Sequence, residues 1–348
     1  MLSPAIPVVA PDRLHMVGYR ETFGWWLRLV RDPLASYAEI VTRYRGAAGL
    51  PLGRAGVYLL SGSDHIERVL HARRDNYADW FESPAAIERT WRPAGFVPEI
   101  ANATSWVTGT WWDGRIVDLG VELRRVTLDL RRRAALRPSL AADAAVVGRA
   151  YAELRRRPIV PVTVRLLLRS SCEATDSADL VRMLLLLADA PEARARLEAE
   201  VDSVLCGRRA RPQDVPRLVW AQAIASEALR LHPPVRTFAL RAVRADSVAG
   251  MSLRAGAAIV LSPSVIHRQP DLWRRPGAFR PERFLAETHP RSAYLPFGHG
   301  RAGRIAQDYA LLRATLVLAT IAQTYRLELP AGAPRDPAGP ITMRALLR

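Results

Sequence analysis

Apolar residues recur along this chain in two rhythms, and the points where one gives way to the other mark out its elements. Spacings of three and four over residues 21–30 and 33–44 predict two amphipathic helices near the start. Residues 50–54 and 57–61 read as short strands joined at Arg54-Ala-Gly56, with Asp64 capping a helix through residue 72. Asp113-Gly114 starts a turn, and a helix is predicted over 116–133, with Arg124, Arg125, Arg131, Arg132 and Arg133 on its solvated side. Helices are also predicted at 141–156, 180–188, 191–205 and 220–231, and strands around 248–253 and 257–262. The apolar-periodic run 311–325 closes the series with a long helix. Residues 78–112 hold five tryptophans (Trp80, Trp91, Trp106, Trp111, Trp112) and no clean period, and core packing is the expectation for these rings over a substrate-lining role. No repeat, low-complexity tract or linker divides the chain, so one unit is expected across 1–348.

Composition changes this picture only at the level of partners. Apolar content of 49% and charged content of 24% are ordinary for a globular protein, but all 50 basic residues are Arg and the net charge is +16. Coding bias toward GC is the leading reading of that excess, and docking to an acidic protein or an anionic substrate is the other. No basic block interleaved with aromatics marks a nucleic-acid surface, so no nucleic-acid partner is expected. Only Cys172 and Cys206 are present, both expected as small buried hydrophobes, and a reducing cytoplasm is the simplest location. Prolines interrupt the apolar run at the N-terminus and no later stretch reaches the length of a membrane span, so neither a signal segment nor a membrane partner is expected.

The chemistry gathers in the C-terminal third. Glu227-Ala-Leu-Arg230 lies on the helix predicted at 220–231, where a spacing of three places both side chains on one side. It is followed by His232-Pro-Pro234, His267-Arg268, Pro281-Glu-Arg-Phe284 and the glycine-bearing loop Phe297-Gly-His-Gly300, which runs into the last helix. In this order the motifs resemble those of the cytochrome P450 family, closely over 220–329 and loosely over 21–77. The resemblance implies a mainly α fold with small β-sheets, shortened in the middle. Residues 1–77 would form a β-containing N-terminal part, 78–235 a helical part, and 215–348 the C-terminal part with the Glu–Arg pair and the loop. It also implies a structural charge network of Glu227, Arg230 and Arg283.

The same resemblance shows where this chain departs from the family. The P450 loop reads Phe, two residues, Gly, then a basic residue and a haem-ligating Cys. The ungapped register here gives Phe297, Gly298, His299 and Gly300, then Ala302 at the basic position, Arg304 at the Cys and Ala306 at a further Gly. A guanidinium has no free lone pair for iron. The family's helical Trp and Arg, which meet a haem propionate, are matched by Trp91-Arg92-Pro93, and a helix does not run easily through Pro93. The acid–Thr pair of the central helix is also altered. One alignment puts Glu173 at the acid and Ala174 at the Thr, with Thr175 one place late and rotated by about 100°; a rival alignment treats 179–187 as an upstream helix and the central helix as largely deleted. Glu173 and Thr175 remain the candidate catalytic residues.

No cofactor is expected, with haem b only if another residue ligates iron, His299 being the substitute to consider. The resemblance then leaves three classes, all placed in bacterial secondary metabolism. The first is a haem-free auxiliary or binding protein for a partner enzyme such as a glycosyltransferase. A haem-independent enzyme is the second, and a P450 monooxygenase with atypical ligation the third. The vacated haem cavity is expected either to have collapsed or to hold a small hydrophobic or anionic ligand. Arg304 is expected to face it as a buried guanidinium, paired with Glu173 or Asp176 or with an anionic group of the ligand.

Overall fold

The computed structural model describes residues 16–79, 95–155, 177–286, 289–333 and 339–348. Helices α1 (Tyr19–Arg31) and α2 (Pro33–Arg43) meet at Asp32, whose carboxylate accepts the Ala35 N–H at 3.1 Å while Pro33 fills a first-turn position that needs no donor. The hairpin β1 (Ala47–Leu50) and β2 (Val57–Leu60) follows. Its first strand lies earlier than 50–54, because Pro51 has no N–H for a ladder and Gly53 and Gly56 turn the chain at φ +70 and +83. Helix α3 (Ser63–Glu67) continues as a π-helical turn, Arg68–Ala72. Gly62 is its N-cap, so Asp64 sits inside the first turn instead of capping it.

β2 pairs in parallel with β8 (Ala258–Leu261), which pairs with β5 (Phe238–Ala242), which in turn pairs with β3 (Tyr77–Asp79). The five-stranded order is β1-β2-β8-β5-β3. Alternate side chains serve two cores. Ala48, Leu50, Val57, Leu59 and Val260 pack with Trp25, Tyr37 and Ile40 of the first helices, while Ala47, Tyr58, Leu60, Ile259 and Leu261 build the core on the other face. The segment 248–253 is a hairpin of β6 (Asp246–Val248) and β7 (Met251–Leu253), reversing at Ala249-Gly250 with φ of +53 and +73.

The tryptophan-rich region contains α4 (Phe96–Thr108), whose Pro98 costs no bond in the first turn. Trp111 is buried and donates to Glu122 at 3.1 Å, but Trp106 and Trp112 are 52% and 63% exposed, so the core expectation holds for one ring of these three. Trp80 and Trp91 lie outside the described residues. The helix predicted over 116–133 is a strand and then a helix: β4 (Arg115–Asp118) pairs with β10 (Thr342–Leu347), and Asp118 caps α5 (Leu119–Ala135) by accepting the Val121 N–H at 3.0 Å. Helices α6 (Pro138–Arg155), α7 (Ala178–Ala188), α8 (Pro191–Leu205) and α9 (Val219–Leu231) come next. Cys206 ends α8 in the left-handed region and is exposed, which corrects its assignment to the core; Cys172 lies outside the described residues.

After the short helices α10 (Pro263–Ile266) and α11 (Arg283–Ala286), the 25-residue α12 (Gly300–Thr324) packs against α4, α6, α8 and α9 and leads into β9 (Tyr325–Glu328). Among the described residues α12 is the one helix long and apolar enough to cross a membrane, but 83% of that stretch is buried within the protein, so core packing accounts for its apolarity. The fold is mainly helical with small sheets.

Candidate functional site

Glu227 and Arg230 occur one turn apart on α9, and their side chains are 0% exposed. The Glu227 carboxylate accepts from Arg230 Nε at 2.7 Å and Nη2 at 2.8 Å, from Arg283 Nε at 3.1 Å and from the Arg280 N–H at 2.9 Å. Two guanidiniums against one carboxylate leave an excess positive charge. Carbonyls absorb it: Arg230 donates to His267, Pro276 and Ala278 at 2.6, 2.8 and 3.2 Å, and Arg283 to Arg274 at 3.0 Å. The Trp273 ring lies 5.1 and 5.8 Å from the two guanidinium carbons, adding cation–π contact. A fully buried, fully bonded set of this kind positions chain segments and offers no open face to a substrate.

His267 carries this order to the glycine loop. Its Nε2 accepts the Leu295 N–H at 2.8 Å, so Nδ1 carries the proton and donates to the Arg230 carbonyl at 2.9 Å. Burial first, and then the nearby Arg230 and Arg268 charges, push its pKa down to about 3, so the ring stays neutral. Two residues after Leu295, Phe297 is buried, and Gly298 turns the chain at φ +75 with the Phe238 ring 3.4 Å from where a Cβ would stand. Gly303 is equally constrained, because its Cβ would lie 2.7 Å from the Phe297 carbonyl oxygen.

The last helix begins at Gly300 with His299 as N-cap, eleven residues before the predicted apolar run starts. Arg304 is therefore the fifth residue of α12, and it is exposed while Ala302 and Ala306 on either side are buried. This corrects the expectation of a buried guanidinium; the carboxylate it acts on is Asp308, one turn along the helix. Glu173, Thr175 and Asp176 lie outside the described residues, as do Trp91, Arg92 and Pro93.

The family model of cytochrome P450 matches residues 163–346, more than half of the chain. The chain belongs to the cytochrome P450 family. Cyclooctatin synthase of Streptomyces melanosporofaciens is 40% identical over 190 residues, which are 52% of this chain and 41% of that one. Pentalenene oxygenase of Streptomyces avermitilis is 34% identical over 161 residues, covering 45% and 36%. The chain thus spans about two fifths of the length of the relatives it matches. CYP175A1 from Thermus thermophilus superposes with a TM-score of 0.67 at 24% identity, covering 96% of this chain and all of that one, a likeness that speaks for the fold alone.

The residues at the P450 loop do not fit a haem held by a thiolate. The ligand position carries Arg304, a side chain with donors only. It stands on a helix where the family's order has a loop, and it is turned toward water. The buried face of Phe297 is occupied by protein: Tyr151 of α6 meets its ring edge-on at 6.0 Å and meets Tyr309 of α12 at 6.3 Å. Among the described residues no group of three or more His, Cys, Asp and Glu could hold a metal ion.

Beside the start of α12 stands a group of titratable side chains that the sequence did not disclose. Asp79, at the end of β3, has Oδ2 3.2 Å from where a Gly300 Cβ would stand. It is reached by water, yet burial and then Glu153 of α6 raise its pKa to about 6. Across the same helix start, His299 stands edge-on to His71 at 6.2 Å, and burial, followed by His71, Arg74 and Arg304, lowers its pKa to about 4. These residues come from four separated segments and share no local motif, so only the pairing of β3 with β5 and the packing of α6 on α12 bring them together.

Proposed function

We propose that this P450-family chain works without a haem-thiolate centre, as an auxiliary or binding protein in bacterial secondary metabolism. The observation that carries this reading is Arg304, exposed near the start of α12 where the family places its iron ligand. The edge-on packing of Tyr151 on Phe297 supports it, because a ring seated there uses the buried surface of the loop for the protein's own core. The intact Glu227–Arg230–Arg283 network supports a role that needs the scaffold alone. A partner enzyme, a glycosyltransferase being one class, is the expected client. The test is haem reconstitution of an Arg304→Cys variant. Continued refusal of haem by a folded variant is the expected result, and a thiolate-type spectrum at one haem per chain would overturn the claim that the site has been remodelled beyond its ligand.

One observation favours a second reading, a haem-independent enzyme. Asp79, with its pKa near 6 beside Glu153, could hold and release a proton near neutral pH in contact with solvent. An Asp79→Asn variant in a producing strain separates the two. An auxiliary protein keeps its effect on product yield, whereas a proton-transfer enzyme loses it by about a hundredfold or more. Ligation of haem by His299, the third class, requires haem in the wild-type protein and its loss in His299→Ala.

A further inference from the structure

A concavity of about 850 Å3 lies away from the glycine loop, and no residue from Phe297 to Arg304 lines it. Its walls are α2 with the turn that follows, the start of α3, Arg182 of α7, the chain leaving α9, and α10 with the residues after it. Leu34, Ala38 and Val41 along α2 give the lining an apolar stretch. The lining also includes guanidiniums from separate elements, Arg45, Arg182, Arg236 and Arg268, and the single carboxylate of Asp271. Two of these cations lack the pairing found elsewhere in the molecule, where Arg68 is held by Asp246, Arg208 by Asp214 and Arg313 by Asp179 at 2.6–2.8 Å. Arg268 donates to the Leu231 and Ser264 carbonyls, and burial with the Arg230 and Arg236 charges holds its pKa below the usual guanidinium value. Arg45 stands at the lip on a left-handed backbone, φ +53, a conformation that costs a non-glycine residue free energy. Among the described residues neither cation has an ion-pair partner, Asp271 included.

A concavity of this size accommodates one organic molecule rather than a macromolecule. Its charge asks for an anion and its α2 wall for hydrocarbon. We propose that this cleft binds one amphiphilic organic anion, its phosphate or carboxylate head held by Arg45 and Arg268 and its apolar body laid along Leu34, Ala38 and Val41. The site is independent of the former haem loop and stands whichever functional reading of that loop is right.

Titration calorimetry with monomeric decyl phosphate tests the proposal, with decanol, inorganic phosphate and phosphatidylglycerol vesicles as separate arms. One equivalent of decyl phosphate is expected to bind at least about tenfold more tightly than decanol or inorganic phosphate, since each lacks one half of the recognition. Arg268→Gln and Arg45→Gln should each weaken binding by about tenfold or more, and Arg124→Gln, on the exposed side of α5, should leave it unchanged. The Arg45 variant removes no described side-chain bond, so it reports on binding even if Arg268→Gln disturbs the fold, with circular dichroism as the check. Equal weakening by Arg124→Gln would show attraction by net charge alone and overturn the site. Decanol binding as well as decyl phosphate, or binding to vesicles without binding to the monomer, would overturn it too.

Discussion

Replacing Glu227 with alanine tests what the buried charge network does. The side chain removed accepts four hydrogen bonds, three from guanidinium nitrogens and one from the Arg280 N–H, at 2.7–3.1 Å. Its loss leaves Arg230 and Arg283, both 0% exposed, with carbonyl acceptors and no counter-charge. Breaking a buried pair by removing one partner costs about 3–5 kcal/mol, and here two cations are stranded by one deletion, so the upper part of that range is expected. Against a total stability of about 5–15 kcal/mol, such a loss brings the protein close to unfolding at ambient temperature. The assay is urea denaturation followed by tryptophan fluorescence, with Glu227→Gln alongside to keep the shape and remove the charge. The alanine variant should lose most of its transition, and the glutamine variant should fall between it and wild type. A Glu227→Ala protein with a midpoint within about 1 kcal/mol of wild type would refute the assignment of these residues to the scaffold.

Gly303→Ala should cost about 1–3 kcal/mol, because its new methyl group meets a backbone carbonyl that cannot swing away; a thermal melt unchanged from wild type would contradict this. Arg304→Ala should shift stability by no more than about 0.5 kcal/mol, since the side chain is exposed, whereas the expectation of a buried cation would make it strongly destabilising. Stability should fall on acidification below pH 6.5, because His267 is neutral in the fold with its pKa pushed down to about 3, so the unfolded chain binds the extra proton between those values. The stabilisation is fully present above pH 6.5 and is lost at up to about 1.4 kcal/mol per pH unit as pH falls. Asp79 acts with the opposite sign, costing stability as pH rises from about 4 to its raised pKa of about 6, but its contact with solvent screens that effect. Urea midpoints at pH 7.5 and 5.5 check the direction, and a His267→Asn variant should flatten the slope.

The parts of this molecule legible in its sequence are those where a local pattern and a tertiary role coincide. The Glu227–Arg230 spacing, the Pro281–Phe284 motif and the glycines of 298–300 each state a geometry within a few residues, and the structure puts them in contact through His267. Elements whose partners are far away were misread. β4 looked like the start of a helix because its pairing strand is the last one in the chain, and β1 was displaced because the ladder ends at Pro51. The start of α12 was hidden for another reason: Gly300, Gly303 and two arginines are weak helix formers and solvated residues, and it is the burial of Ala302, Ile305 and Ala306 that makes the turn helical. Asp79, Glu153 and Tyr151 carried no signal, since their significance depends on α6 packing against α12.

The central claim is that the site at Phe297–Arg304 does not hold a haem-thiolate. The most direct measurement is the haem content and absorption spectrum of the wild-type protein, expressed with a haem precursor in excess and purified intact. Less than about one haem in ten chains is expected, with no thiolate-type band for the reduced protein with carbon monoxide, since Arg304 supplies no lone pair. One haem per chain with that band would contradict it.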